Sequence, residues 1–469
     1  MNPIVGLEIH AELKTESKIF CSCRNRFGDP PNSNCCPVCL GLPGALPVLN
    51  REVVRACVLL GLALKSEIAP VSATARKNYF YPDLPKGYQI TQHRQPTCKG
   101  GELSFYSQGK RRVCRIQSIH FEEDAGKLLH EDGKTEMDYN RSGVPLLEIV
   151  TEPDLHSGQE AADFLENMRA LLLSLGLSDG KMQEGSLRCD VNISVEGSEA
   201  RTELKNIGSI SAIIRAVDYE AHRRSQRIDQ ESETRRWNDI TGRSERMREK
   251  ESSDSYRYFP EPDLLPVAIR KEEIEALSQH IPPLPAGRTE RFLSLGLSCE
   301  QAARLALTPD KAEFFEASLS SGFPPALLGS WLLGNLSKQL NRRRISLSDT
   351  NLSPGQFCAL LNLLQQRRIT AAGADRVLEE LLFSSKSPEA IAQRLGLERQ
   401  QDEEALKKLA RQVLEENPSA VSQYFQGKEA VFEFLLGQGM RLSRGSADPE
   451  MLREALKSAL NSLAISSKI

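Results

Sequence analysis

The stretch Val5-Gly6-Leu7-Glu8-Ile9-His10-Ala11-Glu12-Leu13 alternates between apolar and polar positions. Val5, Leu7, Ile9, Ala11 and Leu13 fall on one side, and Glu8, His10 and Glu12 on the other. Period-two alternation predicts a half-buried strand, with every second side chain on the same face. Two further stretches read alike. In Leu187-Arg188-Cys189-Asp190-Val191-Asn192-Ile193 the polar face is Arg188, Asp190 and Asn192. The stretch from Ile116 to Lys127 ends in the acidic run Glu122-Glu123-Asp124. Acids gathered on one sheet face repel each other unless cations hold them. Hard cations such as Mg²⁺ bind through carboxylate oxygens, often together with substrate phosphates. A phosphoryl-transfer site is therefore the first hypothesis, and a solvated sheet face is the alternative. Spacing alone does not say whether the three strands lie side by side.

A chain of 469 residues predicts two or three domains, each with its own core. With 60 basic and 63 acidic residues it carries no global basic signal, so any nucleic-acid contact must come from local patches. No apolar run reaches the length of a membrane span, which predicts no membrane association. The chain enters its first strand within a few residues, leaving no room for a signal peptide. Eleven cysteines, an odd number in a large chain, do not read as a disulfide framework and point to a reducing cytoplasm.

Composition changes near residue 270. The first part is rich in Gly, Pro, Asn, Tyr and short alternating runs, interrupted by helices expected at Ser157 to Leu175 and Ile210 to about Arg224. It reads as α+β. Asp154 lies in the kind of stretch that starts a helix. Beyond residue 270 helical periodicity takes over, with Pro282-Pro283-Leu284-Pro285 as the joint and a second division near residues 396–404. The expected domains are 1–285, 286–400 and 401–469. Asn417-Pro418 and Gly445-Ser446-Ala447-Asp448-Pro449 punctuate the last of these.

Cys21-Ser22-Cys23 and Cys36-Pro37-Val38-Cys39 flank a loop-like segment and offer four thiolates to one tetrahedral Zn²⁺. Cys35 is a spare, and Cys36 is favoured because it forms the CxxC. Four protein ligands close the site, so its role is structural; reduced, metal-free cysteines are the alternative. The segment from Arg76 to Gln89 is dense in side chains that recognise ligands. Arg76, Lys77 and Lys86 suit phosphates, as do Lys127 and Arg141, while Tyr79 and Tyr81 suit stacking on a base or a tRNA end. Glu148 is an isolated acid in the apolar run Leu146 to Val150 and calls for a partner or a metal. The chain has no GxxxxGK[ST] or GxGxxG motif, and no Ser- and Gly-rich amidase segment. If it uses ammonia, another polypeptide makes it.

Eight segments, Gly6–Leu13, Cys36–Asn50, Arg76–Gln89, His120–Lys127, Asp138–Asp154, Leu187–Val195, Glu203–Ser209 and Tyr256–Leu264, together resemble the GatB family, the B subunits of the bacterial tRNA-dependent amidotransferases. The helices of the tail resemble the YqeY-like proteins. The likeness implies a heterotrimer. Its A subunit is the glutaminase (amidase) that releases ammonia, and its C subunit is small. The B subunit uses ATP and Mg²⁺ to phosphorylate the side-chain carboxylate of Glu on tRNA(Gln) or Asp on tRNA(Asn), and ammonia displaces the phosphate. The likeness also implies an N-terminal fold akin to the glutamine synthetase-like carboxylate–amine ligases. By motif match Glu8, His10, Glu123, Glu148 and Asp190 are the metal and catalytic positions, with Glu122 and Asp124 added because the acidic run allows more than one register. Lys77, Lys86, Lys127, Arg188 and Lys205 become phosphate or carboxylate binders. One departure is Ala75, where the family usually has Asp. For tRNA, the basic clusters Arg342-Arg343-Arg344, Lys407-Lys408, Arg441 and Arg444 are the candidate phosphate contacts. A non-catalytic tRNA adaptor and a ligase acting on free glutamate are the competing readings. Clustered carboxylates speak against the first, because an adaptor for a polyanion gains nothing from them. The helical appendix with its basic clusters speaks against the second.

Overall fold

The computed structural model describes residues 2–131, 133–226, 231–249, 253–398, 403–443 and 447–466. The chain divides into two compact units, Met1–Leu293 with Ala306–Pro309, and Ser294–Leu305 with Asp310–Ile469. The boundary expected at 400/401 lies outside the described residues.

The first unit is built on a ten-stranded sheet. Its strands are β1 (Pro3–Glu12), β2 (Glu67–Ile68), β3 (Cys98–Lys99), β4 (Glu102–Ser107), β5 (Lys110–Glu123), β6 (Pro145–Thr151), β7 (Leu187–Val195), β8 (Thr202–Lys205), β9 (Glu233–Asn238) and β10 (Arg243–Glu249). The order is β10-β9-β8-β7-β1-β6-β5-β3-β2, with β4 hairpinned onto β5. Pairing is antiparallel except between β8 and β9, which run parallel. The three strands singled out in the sequence do belong to one sheet: β1 is central, β7 is its neighbour on one side, and β6 separates it from β5 on the other.

Alternation fixes which face is covered. Val5, Leu7, Ile9, Leu147, Ile149, Ile119, Phe121, Cys189, Val191 and Ile193 are all buried in one core. That core is completed by helices α1 (Arg51–Ala63), α2 (Gly158–Ser174) and α3 (Ile210–Ser225). Each helix starts at a side-chain cap: Asn50, Ser157 and Ser209 accept the N–H of Glu52, Glu160 and Ala212. Ser157, not Asp154, caps α2; Asp154 instead accepts two guanidinium bonds from Arg115 at 2.7 and 2.8 Å.

The opposite sheet face is polar. Over it lies a small three-stranded flap made of Ala75–Asn78, Tyr88–Thr91 and Phe259–Pro260. Arg76 locks the flap by donating to Glu261 at 2.7 and 2.8 Å and to Asp263 at 2.9 Å, with its guanidinium 4.1 Å from the centre of the Tyr88 ring.

The second unit is helical throughout its described elements. Asn417-Pro418 breaks the helix Glu403–Glu416 from Pro418–Phe425, as expected from Pro at a first helical turn. Asp448 caps Pro449–Ser466 through the N–H groups of Glu450 and Met451; residues 445 and 446 of the expected loop lie outside the described ones. A separate apolar core of Leu406, Val413, Phe432, Leu435, Leu452 and Leu456 holds these last helices together.

Gly158 opens α2 where it crosses α3. A Cβ there would stand 2.6 Å from the carbonyl oxygen of Ile214 and 2.8 Å from its Cα. Gly158→Ala is expected to destabilise the protein by about 1–3 kcal/mol in urea unfolding, because backbone must move. Gly208→Ala, whose added methyl meets nothing within 4 Å, serves as the neutral control.

Candidate active site and metal-binding clusters

Register gathers the polar side chains. Arg188, His10, Glu148 and His120 face one another across four adjacent strands, β7, β1, β6 and β5. Two residues along, the row is Asp190, Glu8, Val150 and Ser118. In the other direction Glu122 and Glu12 flank Leu146.

Glu148 is the centre of this set. Its Oε2 lies 3.5 Å from His10 Nε2 and 3.4 Å from His120 Nε2. His10 Nε2 is also 3.5 Å from Glu122 and 3.9 Å from Glu8. Burial alone would lower the His10 pKa, but hydrogen bonding and charge from Glu148, with Glu122 and Glu8, push it up to about 9. His120 is raised in the same way, against its burial. The two imidazoles hold Glu148 well below the usual carboxylate range despite its burial. Glu8 moves up, because burial and Glu148 outweigh His10 and Lys205. Glu8, His10 and Glu148 can each point one ligand atom to a common centre, as can His120, Glu122 and Glu148. Carboxylate oxygens with one imidazole form a donor set that a hard divalent cation accepts.

Glu8, His120, Glu122 and Glu148 line a cavity of about 410 Å³. Lys77 enters it from the flap, held 4.8 Å from the Tyr256 ring centre and kept charged, against its burial, by Glu122 and Glu148. Lys205 enters from β8, donating to Asp190 at 2.5 Å and pairing with Glu203 at 3.1 Å. Tyr258 and His93 stack at 4.0 Å on the cavity wall.

Other residues expected at the site stand elsewhere. Glu123 points away from Glu122, as period two demands, and accepts from Lys86 Nζ at 2.5 and 2.6 Å and from the N–H of Ile90 at 2.8 Å. Gly41 permits this: at φ +67° its backbone lies against Lys86, and a Cβ would meet Lys86 Cγ at 2.5 Å. Asp124 follows the end of β5 and forms a second charged group, accepting from Arg188 at 2.5 Å with Arg141 at 3.5 Å. Beside it Glu12 is pushed up to about 8 by burial and by Asp124, against Arg188 and Arg141. Arg141 also donates to the carbonyls of Ala125 and Gly126. Arg76 serves the flap lock. Tyr79 packs edge-on to Tyr256, Tyr81 is exposed, and Lys127 is exposed on a two-stranded ribbon, Lys127–Glu131 with Lys134–Asp138.

The cysteines Cys21, Cys23, Cys36 and Cys39 converge within 4.8 Å. Cys36 and Cys39 sulfurs are 3.8 Å apart, and a tetrahedron with Zn–S of about 2.3 Å has an edge of about 3.8 Å. Cys35 turns instead toward Asn140 Oδ1 at 3.9 Å. Hydrogen bonds from Cys21 hold the Cys39 thiol down to about 4 against burial, helped by the buried ammonium of Lys18. The cysteine loop is tied to the turn before β6: Asn32 bonds Asp138 and Tyr139, and Asn34 bonds Asn140.

Sequence reasoning missed two residues. His120 lies in the segment read for its acids, and the alternation that selects Glu122 also selects His120. Gln92 lines the cavity with a buried Nε2 that has no hydrogen-bond partner among the described residues. No periodicity marks it. Ala75 pairs across the flap with Thr91, whose hydroxyl donates to Glu122 at 3.0 Å.

Fold and site define a class: an α+β protein with a helical C-terminal part, whose open sheet face is an acid- and imidazole-lined cavity. Residues 3–275 match the model of the GatB/GatE catalytic domain, and residues 313–460 match the GatB domain. The chain is 43% identical to the B subunit of the aspartyl/glutamyl-tRNA(Asn/Gln) amidotransferase of Ruminiclostridium cellulolyticum, covering 98% of both chains. It is 42% identical to that of Anaeromyxobacter dehalogenans, covering 97% of this chain and 98% of the relative. The chain belongs to the GatB family.

The His10 shift sets a pH window for the metal-free protein. A pKa raised in the folded state stabilises the fold fully below about 6.5 and ceases to do so as pH rises through about 9. In chelator, wild type is expected to exceed His10→Gln in unfolding free energy by at most roughly 3 kcal/mol at pH 6. The gap should close toward pH 9.5 in denaturant titrations; a gap independent of pH would contradict the shift.

Proposed function

We propose that this chain is the activating and amidating subunit of a glutamine-dependent, tRNA-dependent amidotransferase, a ligase of the cytoplasm that works in protein synthesis. Its substrates are Glu borne on tRNA(Gln), Asp borne on tRNA(Asn), or both. The observation that carries this reading is the Glu8–His10–Glu122–Glu148 cluster on an open sheet face, in a chain similar over its whole length to proteins of that name. The partners are a glutaminase A subunit and a small C subunit. Among the described residues no helix is long and apolar enough to cross a membrane.

A carboxylate is a poor acyl donor until one oxygen carries a good leaving group. ATP supplies it by phosphorylating the side-chain carboxylate, and ammonia then attacks the carbonyl carbon and phosphate departs. Glu8, His10, Glu122 and Glu148 are the residues that would hold Mg²⁺. When bound, it neutralises the phosphates and lets two anions approach. Lys77, above the acids, and Lys205, beside Asp190, are the cations placed to meet phosphate or carboxylate oxygens. Asp190, the acid of this face left outside the cation set, would accept the proton that the attacking ammonia sheds. Lys86 with Glu123, and Arg188 with Asp124, border the cluster as ion pairs and position its flanks.

The four cysteines would hold a structural Zn²⁺, because all their positions are filled by protein. Their loop braces the turn that leads into β6 and Glu148. In the helical unit Arg343 is occupied by Gln339 and Glu379, and Lys407 by Glu404. Arg342, Arg344, Lys408 and Arg441 are exposed and remain the candidate phosphate contacts; Arg444 lies outside the described residues.

Two measurements test this. Assembled with its glutaminase and small partner subunits, the chain should convert mischarged Glu-tRNA or Asp-tRNA with ATP, Mg²⁺ and either glutamine or ammonium chloride. Glu148→Gln should cut kcat by about 10²–10³ while tRNA binding persists. Unchanged turnover would favour the adaptor, and product from free glutamate would favour the free-standing ligase. For the cysteines, Cys36→Ser should lose Zn²⁺ by elemental analysis and lower the unfolding midpoint, whereas Cys35→Ser should change neither.

A further inference from the structure

The flap leaves two large apolar rings in water: Phe80 is 87% exposed and Phe259 44%. With Tyr79, Tyr256 and Arg257 they line a second cavity, of about 590 Å³. Open aromatic rings gathered on one cavity mark a contact surface, because each ring gains by being covered. Tyr79 and Tyr256 meet edge to face, with ring centres 6.1 Å apart. Tyr256 lines this cavity and the polar one alike, so the two share a wall. On the polar side of that wall stands Lys77, its Nζ 4.8 Å from the Tyr256 ring centre and 6.0 Å from that of Tyr79.

Arg257 adds a cation. Its backbone is left-handed, φ 44°, a conformation that costs a residue other than glycine energy and persists where the surroundings enforce it. Here Asn78 enforces it, since its Nδ2 donates to the Arg257 carbonyl at 2.8 Å and ties that segment to the flap strand. The side chain of Arg257 is thereby held at the exposed edge of the aromatic cavity.

Flat rings take a flat partner. Aromatic walls beside an arginine suit an unpaired nucleotide, whose base stacks while its phosphate meets the guanidinium. The reaction uses two nucleotides, ATP and the last residue of the aminoacyl-tRNA, and only the second is joined to the reacting carboxylate. With that carboxylate in the polar cavity, the last nucleotide must stand one amino acid's length away, and the aromatic cavity is one wall away. The opening at Phe80 agrees. A site for a small nucleotide encloses most of its ligand, whereas a polynucleotide must continue outward into water.

We propose that the aromatic cavity of the flap holds the terminal base of the aminoacyl-tRNA, stacked on Phe80 and Tyr256, with Arg257 on the adjoining phosphate. The inference rests on the reading of this chain as the amidating subunit and names a subsite for its tRNA substrate. Of the two tyrosines expected from the sequence to stack, Tyr79 lines the cavity and Tyr81 does not. A base seated there lets the ester-linked amino acid extend past Tyr256 toward Lys77.

The test uses the chain assembled with its glutaminase and small partner subunits, with ammonium chloride as the nitrogen source. Phe80 is exposed, so Phe80→Ala spares the core. It should raise KM for mischarged tRNA by about 10-fold, within the range of about 5- to 150-fold for losing one base stack, and leave KM for ATP as it was. Phe80→Trp should restore the low KM and Phe80→Leu should not, because a ring and not apolar area is what the base needs. A tRNA ending in 2-aminopurine should lose fluorescence on the wild-type complex and keep it on Phe80→Ala, a readout that needs no turnover. An unchanged KM for tRNA overturns the proposal. So does a rise in KM for ATP alone, which gives the cavity to the adenine of ATP, and so does loss of the partner subunits from Phe80→Ala, which makes it a subunit contact. A wild-type complex that quenches 2-aminopurine but makes no amide supports the subsite and overturns the amidating reading.

Discussion

Bringing carboxylates together on one sheet face is the constraint on which this protein turns. Glu8, Glu122, Glu148 and Asp190 come from four strands, and each would repel the others if left alone. Two imidazoles and two lysines offset that repulsion. Glu148 pairs with His10 and His120, Asp190 with Lys205, and Lys77 lies over Glu122 and Glu148. With both imidazoles protonated the four cations match the four carboxylates, and loss of those two protons leaves the acids in excess. The repulsion is tolerated because the opposite face of the same strands packs into a continuous core, which anchors each charged side chain by its neighbours.

The flap and the cysteine loop serve this face from two directions. Arg76 and Lys77 are consecutive, so strand alternation sends one outward to Glu261 and Asp263 and the other inward over the acids. The outward residue secures the strand, and the inward one uses the position thus secured. The cysteine loop acts on the other side. Its asparagines bond the turn at residues 138–140, and that turn leads directly into the strand bearing Glu148.

Much of this was legible in the sequence because alternation is a local rule. The faces of β1, β7 and β5, the helices Gly158–Ser174 and Ile210–Ser225, and the convergence of Cys21, Cys23, Cys36 and Cys39 all follow from spacing. What spacing does not contain is where a strand ends. Glu122, Glu123 and Asp124 look like one acidic run, yet the first faces the cavity, the second faces Lys86, and the third lies past the strand among arginines. The basic residues of the Arg76–Gln89 segment divide in the same way. Gln92 was illegible because a neutral amide acquires meaning only when its oxygen is occupied and its nitrogen is not. Motif likeness proposed Glu123 and Asp124 alongside Glu148; their geometry gives them different partners.

The order of strands carries a consequence for synthesis. β1 is the first of these strands to leave the ribosome, and it is also the middle of the sheet. Its two neighbours, β6 and β7, begin only at Pro145 and Leu187. A nascent strand must therefore wait, unpaired, while well over a hundred residues are added, and pairings so distant along the chain form slowly. An exposed apolar strand in that interval invites association with other chains. Glu8, His10 and Glu12 separate the apolar positions of the waiting segment with polar or charged ones. The residues that give the finished sheet its polar face thus first serve as gatekeepers, keeping the unfinished chain from sticking to its neighbours.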